Sequence, residues 1–330
     1  MTQSVTYLVF DVESVADGDL IAKVRYPGEG LTPAEAIARY QSEIFEKSGT
    51  TFIPHTFQIP IAVVIAKLDA EFRMLDLVSL DEPHFRSHVI TANFWKGWDM
   101  YRRPTWITFN GRSFDLPIME MAAFRYGISL AKWFSGSGYK ALRNRFNSEA
   151  HLDLQDLLTN FGAARLNGGL NLAAQLLGKP GKMGLNGEAV QQKYDEGGKM
   201  EISDYCRCDV LDTYFVFLRC MVLTGKLTLE QEIELVQQAK DFIQQRADDC
   251  QAYQDYLGQW GEWVDPWEAE AVDEADENAD ASDPSESGDG NDGSPAQPTT
   301  DSEPTSSPAE ADSTADPQTD SAADVTPKTP

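Results

Sequence analysis

Apolar runs in the first half of the chain have the length and composition of β-strands. Residues 5–10 are rich in β-branched and aromatic side chains and end at a carboxylate, which predicts a buried strand. Residues 57–67 and 71–80 are two apolar runs separated by a brief polar break, and they predict a hairpin beside the first strand. Further strands are predicted at residues 105–109 and 151–154.

Helical patterns alternate with these strands and continue after them. Apolar residues at helical spacing predict helices at residues 83–100, 115–126, 154–161, 170–177, 202–224 and 229–256. Gly178 and Pro180 end the fourth of these, and residues 133–147, rich in Gly, Ser and Arg, predict a basic loop or short helix. Alternation of strand and helix predicts an α/β sheet.

Charge divides the chain into two unequal parts. The formal net charge is -26, from 53 acidic and 27 basic residues, and residues 268–330 hold 18 of the acidic residues but only one basic residue, Lys328. This tail also lacks Phe, Trp, Tyr, Leu, Ile and Met. It therefore cannot bury enough apolar surface to offset the entropy of ordering its backbone, and we expect it to be disordered.

The cysteines and the N-terminus indicate a soluble cytoplasmic protein. The four cysteines are too few and too irregularly spaced for a disulfide scaffold or a four-ligand zinc site, so a reduced compartment is expected. The first residues lack the basic start and long apolar core of a signal peptide. The longest apolar stretch, near residues 59–66, is too short to span a bilayer, so no membrane association is expected.

Two carboxylates follow the first predicted strand. Asp11 and Glu13 are two residues apart, so both side chains lie on the same face of the strand. Like charges held close together disfavour joint ionisation unless a cation neutralises them, so the pair suggests a metal site. The alternative is coincidence, since an Asp-x-Glu triplet is expected about once in a chain of this size.

Two later segments add acidic residues at defined places. Residues 109–115 (FNGRSFD) join the fourth strand to a helix, where Gly111 would relax a turn and Asp115 would cap the helix. Tyr205 and Asp209 are four apart and lie on one helix face. Each segment alone has an ordinary structural explanation. Together, carboxylates after strand one, after strand four and on a late helix can converge at one edge of an α/β sheet.

Taken together, the three segments resemble the motifs of the DEDD-type 3′-5′ exonucleases, in the subgroup related to the proofreading domain of family-B DNA polymerases. The Asp-x-Glu, Asn-x-x-x-Phe-Asp and Tyr-x-x-x-Asp motifs of that family are matched by Asp11, Glu13, Asn110, Phe114, Asp115, Tyr205 and Asp209. Asp204 stands where a histidine subgroup would carry His, so the chain sides with the tyrosine (DEDDy) subgroup. The resemblance covers residues 5–222, and the stretches HLDLQDLL, LNLAAQLLGKPGK and YCRCDVLDTY are similar to stand-alone bacterial members.

The resemblance implies a fold and a domain organisation. It implies a ribonuclease H-like exonuclease fold with a central mixed five-stranded sheet flanked by helices. We expect an exonuclease domain at residues 1–225, a C-terminal helical extension at 226–267 and the disordered acidic tail at 268–330. Only 58 residues separate the last motif from the tail, which is too few for polymerase palm or fingers domains.

The resemblance also implies an activity. It implies hydrolysis of phosphodiester bonds at the 3′ end of single-stranded nucleic acid, with DNA favoured over RNA, by two divalent cations, Mg²⁺ or Mn²⁺. Asp11 would bridge both cations, and Glu13 and Asp209 would complete the site that activates the attacking water. Asp115 would hold the second cation, and Tyr205 would orient the water by a hydrogen bond.

Binding of a single strand needs phosphate contacts and surfaces on which bases stack. The predicted substrate contacts are Asn110, Phe114, Lys140, Arg143, Arg145, Lys179 and Lys182. His151 is predicted to be structural, and Cys206 and Cys208 to be packing residues. Two other functions stay open at this point: a nucleic-acid-binding protein that has lost turnover, and a hydrolase of small phosphoesters.

Overall fold

A mixed sheet of five strands forms the centre of the protein in the computed structural model, which describes residues 4–183 and 189–267. The strands are β1 (Tyr7–Ala16), β2 (Gln58–Leu68), β3 (Met74–Ser79), β4 (Thr105–Thr108) and β5 (His151–Asp153). Their order across the sheet is β3-β2-β1-β4-β5. The hairpin strands β2 and β3 run antiparallel to their neighbours, whereas β4 and β5 run parallel to β1. The predicted α/β fold with a mixed five-stranded sheet is confirmed.

Helices cover both faces of this sheet. They are α1 (Gly18–Arg25), α2 (Pro33–Ser48), α3 (Ser87–Met100), α4 (Asp115–Tyr126), α5 (Leu154–Thr159), α6 (Gly169–Gln175), α7 (Ala189–Asp195), α8 (Lys199–Leu223), α9 (Leu229–Gln244) and α10 (Gln251–Gly258). The long α8 packs on β1 and β2 from one side, and α3 and α4 pack on β2 from the other. Alternate residues of β1 serve the two cores: Val9 joins the α8 side, and Leu8 and Phe10 join the α3 side.

The central strand β1 is longer than predicted. It was expected to stop before Asp11, yet it continues to Ala16 because β2 goes on pairing with it past a bulge at Glu13 and Ser14. On its other side β1 pairs with β4 only from Tyr7 to Val9. Asp11 and Glu13 therefore lie within the strand, at the level where its β4 edge has become free.

An insert between β1 and β2 contains α1 and α2, which the apolar pattern had not predicted. Its small separate core includes Ile21, Tyr40 and Ile53. Thr32 and the third residue of α2 form a reciprocal capping box, which fixes the start of that helix. Arg125 of α4 pairs with the buried Asp17 at the start of α1 and so holds the insert against the sheet.

The C-terminal helices differ from their prediction. One helix was expected over residues 229–256, but the chain breaks at residues 245–250 and forms the two helices α9 and α10. The break allows α10 to fold back on α8, where the Tyr256 hydroxyl donates a 2.7 Å hydrogen bond to Asp212. The boundary at residues 225 and 226 stays a prediction, and the acidic tail, residues 268–330, lies outside the described residues. Within the described part of the chain, no helix has the length and apolar character needed to cross a membrane.

Candidate active site

Three carboxylates from β1 and α8 meet on one side of the sheet. Asp11 and Glu13 project from the same face of β1, and α8 brings Asp209 against them. One oxygen from each of the three carboxylates lies within 4.8 Å of the others. The structure therefore brings together three of the four predicted metal ligands in one compact group.

Asp115 flanks this group from the first turn of α4. Its Oδ1 accepts a 3.0 Å hydrogen bond from the Val12 N–H, on the part of β1 that lies beyond its pairing with β4. The Asp115 carboxyl is buried. Burial is the main reason that its pKa is raised, and the charge of Asp11 raises it further. Asp115 is thus held beside Asp11 by the backbone of β1.

The four carboxyl groups destabilise one another's charge. Burial raises the pKa of Asp11 to about 6 and raises the pKa of Glu13, Asp115 and Asp209 well above their usual range. Coulombic repulsion from the other carboxylates adds to burial for Glu13, Asp115 and Asp209. A cluster of buried carboxylates with oxygen donors alone fits a hard divalent cation, which would neutralise this repulsion.

Two further side chains of α8 touch the cluster. Tyr205, one turn before Asp209, hydrogen-bonds its carboxylate, and burial followed by the nearby negative charges raises the tyrosine pKa. The Cys206 thiol lies 3.5 Å from Asp11 Oδ2 and 3.4 Å from the Asp11 carbonyl oxygen. Cys206 and Cys208 are both buried, as expected of packing residues, but the contact between Cys206 and Asp11 was missed because no spacing rule links the two positions.

The turn that carries the second motif is held by Asp153 at the end of β5. The Asp153 carboxylate accepts hydrogen bonds from the N–H groups of Asn110, at 2.9 Å, and Arg112, at 2.8 Å. The Asn110 backbone is in the left-handed conformation, with φ 64°. At the next position, a Cβ on Gly111 would lie 2.6 Å from the Thr108 side chain. Close approach to β4 therefore requires glycine here. Asp153 therefore stabilises the turn through these two hydrogen bonds and is not a member of the carboxylate cluster.

Two predicted substrate contacts lie beside the cluster. Phe114 and Lys182 line a cavity of 420 Å³ whose wall also includes Glu13. Burial and the neighbouring carboxylates raise the pKa of Glu13 and of Asp209, and the positive charge of Lys182 partly offsets that rise. The loop that carries Lys182 is held by Asn171, whose Oδ1 accepts the Lys182 N–H at 2.9 Å.

The other predicted basic contacts lie elsewhere. Lys140 and Arg145 are exposed, and Arg143 pairs with Glu120 of α4 at 2.8 Å. Lys179 differs from the expected surface residue: it is 4% exposed, with Nζ 4.1 Å from the centre of the Trp260 ring. Burial lowers its pKa to about 8, and its place under the C-terminal segment keeps it from a strand at the protein surface.

The remaining acidic and histidine side chains near the motifs have structural partners. His151 Nε2 lies 2.7 Å from Thr108 Oγ1, in agreement with a structural role. Asp156 pairs with Arg112 at 2.6 Å, and Asp204 lies 3.8 Å from the Arg207 guanidinium. These residues therefore have roles other than completing the carboxylate cluster.

An α/β sheet whose central strand contributes two of four clustered, partly buried carboxylates is an arrangement typical of metal-dependent phosphodiester hydrolases. Comparison with protein families agrees with this class. Residues 50–260 match the family described as "Predicted 3'-5' exonuclease related to the exonuclease domain of PolB". The chain belongs to this family, and it is accordingly a hydrolase of the 3′-5′ exonuclease type, for which the family implies use of a divalent metal.

The family match includes the second and third motifs and begins after the first, so Asp11 and Glu13 lie outside it. Among solved structures, the chain is similar to the family B DNA polymerase from the hyperthermophilic archaeon Pyrobaculum calidifontis, with 11% sequence identity and a TM-score of 0.42. That match covers 66% of this chain and 24% of the polymerase. No curated protein sequence matches the chain significantly.

Proposed function

We propose that this protein removes nucleotides from the 3′ end of single-stranded nucleic acid, with DNA favoured over RNA, using two divalent cations, Mg²⁺ or Mn²⁺. The observation that carries the proposal is the meeting of Asp11, Glu13 and Asp209 within 4.8 Å, although they come from two distant parts of the sequence. Asp115 stands beside them, so all four carboxylates of the motif set are available at one place.

In this proposal the four carboxylates hold the cations. An oxygen of Asp11 lies within 4.8 Å of oxygens of Glu13 and Asp209, and the charge of Asp11 also acts on Asp115, so Asp11 would suit a ligand shared by both cations. When bound, two divalent cations supply Lewis acidity that activates water for attack and stabilises the leaving oxygen. Because the four carboxylates repel one another, a bound cation would relieve that repulsion, which favours binding of positive charge.

Tyr205 orients the attacking water. Its pKa is raised by burial and by the carboxylates around it, so the hydroxyl stays protonated at neutral pH. It can therefore donate or accept a hydrogen bond but cannot act as the base that takes the proton. Its interaction with Asp209 holds the phenol at the rim of the cluster.

The substrate contacts extend from the cluster along the surface. Lys182 would meet the phosphate next to the scissile bond, and Phe114, which lines the same cavity, would lie near the terminal nucleotide. Asn110, in the turn that precedes α4, would also lie near that nucleotide. Lys140, Arg143 and Arg145 would meet phosphates further from the 3′ end, where Arg143 would exchange its bond to Glu120 for one to the strand. Lys179 is left out of this set because it is buried.

Digestion of matched 5′-labelled strands of DNA and RNA tests the proposal. With Mn²⁺ or Mg²⁺ the protein should shorten the DNA strand one nucleotide at a time from its 3′ end, and the RNA strand more slowly. Asp209→Asn should abolish the ladder, whereas Glu201→Gln, an exposed acid on the same helix, should leave it unchanged. A strand blocked by a 3′ phosphorothioate linkage should resist shortening.

Two other outcomes would contradict the proposal. Metal-dependent stabilisation and strand binding without any product would indicate a binding protein that has lost turnover. Cleavage of a mononucleotide ester with intact strands would indicate a small-phosphoester hydrolase. Faster digestion of RNA than of DNA would overturn the stated substrate preference alone.

A further inference from the structure

A cavity of 420 Å³ opens beside Glu13, between the far end of β1 and the α1–α2 insert. Its volume falls in the range of pockets that bind small organic ligands. Its wall includes Gln41 and Phe52 from the insert and Phe114 from the start of α4. The wall therefore combines one carboxylate of the acidic cluster, Glu13, with aromatic rings and side-chain amides.

The residues next to Phe52 anchor the backbone and leave the Phe52 ring exposed at the cavity. Ile53 is 5% exposed in the core of the insert, while the adjacent Phe52 is 55% exposed. The Gln58 side chain fixes this segment, because its Nε2 donates a 2.5 Å hydrogen bond to the Ile53 carbonyl. The Phe52 ring lies 5.9 Å from the Phe114 ring at an interplanar angle of 48°. An aromatic face thus remains open at the cavity while the backbone behind it is anchored.

We propose that this cavity receives the base of the 3′-terminal nucleotide and that Phe52 provides its stacking surface. The inference rests on the proposed exonuclease function and adds to it a specificity-determining residue from the insert. The 3′-terminal nucleotide is the one that must bring its phosphodiester to Glu13 and Asp11, so the base attached to it has to lie within a few ångströms of the cluster.

The charge around the cavity sets the orientation of the nucleotide. Phe52 and Phe114 offer apolar aromatic faces, so the part of the nucleotide suited to this part of the wall is the base. Lys182 lines the same cavity and supplies a positive charge for the backbone. The sugar and phosphate then lie toward Glu13 and Lys182, and the base lies toward the insert.

A pair of substrates separates base stacking from other effects of Phe52. One DNA strand ends in an ordinary nucleotide. The other is identical except that its 3′-terminal residue is a tetrahydrofuran abasic analogue, which has the sugar ring but no base. Phe52→Ala should raise KM for the ordinary strand about 5- to 150-fold, the usual effect of losing one stacked base. It should leave KM for removal of the abasic residue unchanged, and Phe52→Trp should retain the wild-type values.

Phe45→Ala is the matched control, because Phe45 lies in α2 of the same insert, is 58% exposed and does not line the cavity. Its KM should equal that of the wild type for both strands, and thermal unfolding should show all variants folded. Equal KM increases of Phe52→Ala for the ordinary and abasic strands, or none for either, would overturn the inference while leaving the exonuclease function standing. Absence of digestion by the wild-type protein would instead overturn the exonuclease function, and this inference with it.

Discussion

Replacement of Asp11 by Asn should stabilise the metal-free protein at alkaline pH. Burial raises the pKa of Asp11 to about 6 from an ordinary value of 3.8, so ionisation of this carboxyl opposes folding. A folded-state pKa above the unfolded value gives a stability contribution that is complete below about pH 4 and is lost as the pH rises through about 6. Two pKa units correspond to about 3 kcal/mol, which is the expected gain of Asp11→Asn at pH 8.

Urea denaturation in EDTA at pH 4 and pH 8 measures this effect. The wild type should lose stability between the two pH values, and Glu13, Asp115 and Asp209 should act in the same direction because their pKa values are also raised. Asp11→Asn should lose less over the same interval. The exposed Asp19→Asn should follow the wild type at both pH values.

Metal should remove most of this difference in stability. Mn²⁺ at 100 times its dissociation constant would stabilise the wild type by about 2.7 kcal/mol, close to the gain expected of Asp11→Asn in EDTA. The variant lacks the proposed shared ligand and should be stabilised much less by the metal. The reasoning is refuted if Asp11→Asn is less stable than the wild type in EDTA at pH 8. That result would mean that favourable contacts stabilise the charged Asp11 carboxylate in the folded protein, contrary to the raised pKa.

Three further substitutions have defined outcomes. Tyr205→Phe should lower kcat roughly 100-fold with little change in KM or in stabilisation by Mn²⁺, and steady-state digestion would contradict an orienting role if KM alone changed. Lys182→Ala should weaken strand binding and reduce the slope of log K against log salt by about one, whereas an unchanged slope in a binding titration would remove Lys182 from the substrate contacts. Gly178→Ala should destabilise the fold by about 1–3 kcal/mol, because φ is +66° and the new Cβ would lie 2.9 Å from the Glu262 backbone; an unchanged urea midpoint would be inconsistent with that contact.

Local sequence signals predicted the parts of the fold that depend on local chemistry. Helix α4 has both bounds where the pattern placed them, since Asp115 begins it and Gly127 ends it in a left-handed conformation. The hairpin β2–β3 was predicted because its two apolar runs are separated by a polar turn. Apolar periodicity did not predict the insert helices, although Thr32, Pro33 and Glu35 carry the sequence signal of a capped helix start.

Features that depend on distant parts of the chain were not predictable in this way. Lys179 stands between Gly178 and Pro180 and has the sequence context of a surface loop, but Trp260 covers it in the folded protein. The break between α9 and α10 contains neither Gly nor Pro, and packing of Tyr256 against α8 accounts for it. For the candidate site, the motifs predicted that Asp11 and Asp209 would meet. The contact of Cys206 with Asp11 joins residues far apart in the sequence and could be seen only in the folded structure.

The position of the acidic pair on the central strand has a consequence for how the protein fails under stress. Asp11 and Glu13 lie on β1, which has a strand on each side of it along part of its length and is covered by α8, whereas the insert has a small core of its own and an ion pair to α4. Opening of the insert should therefore cost less free energy than opening of β1. On gentle heating, the protein should lose the stacking surface proposed at Phe52 before it loses the acidic pair, so the melting of the insert would set the upper temperature for tight binding of a 3′ end.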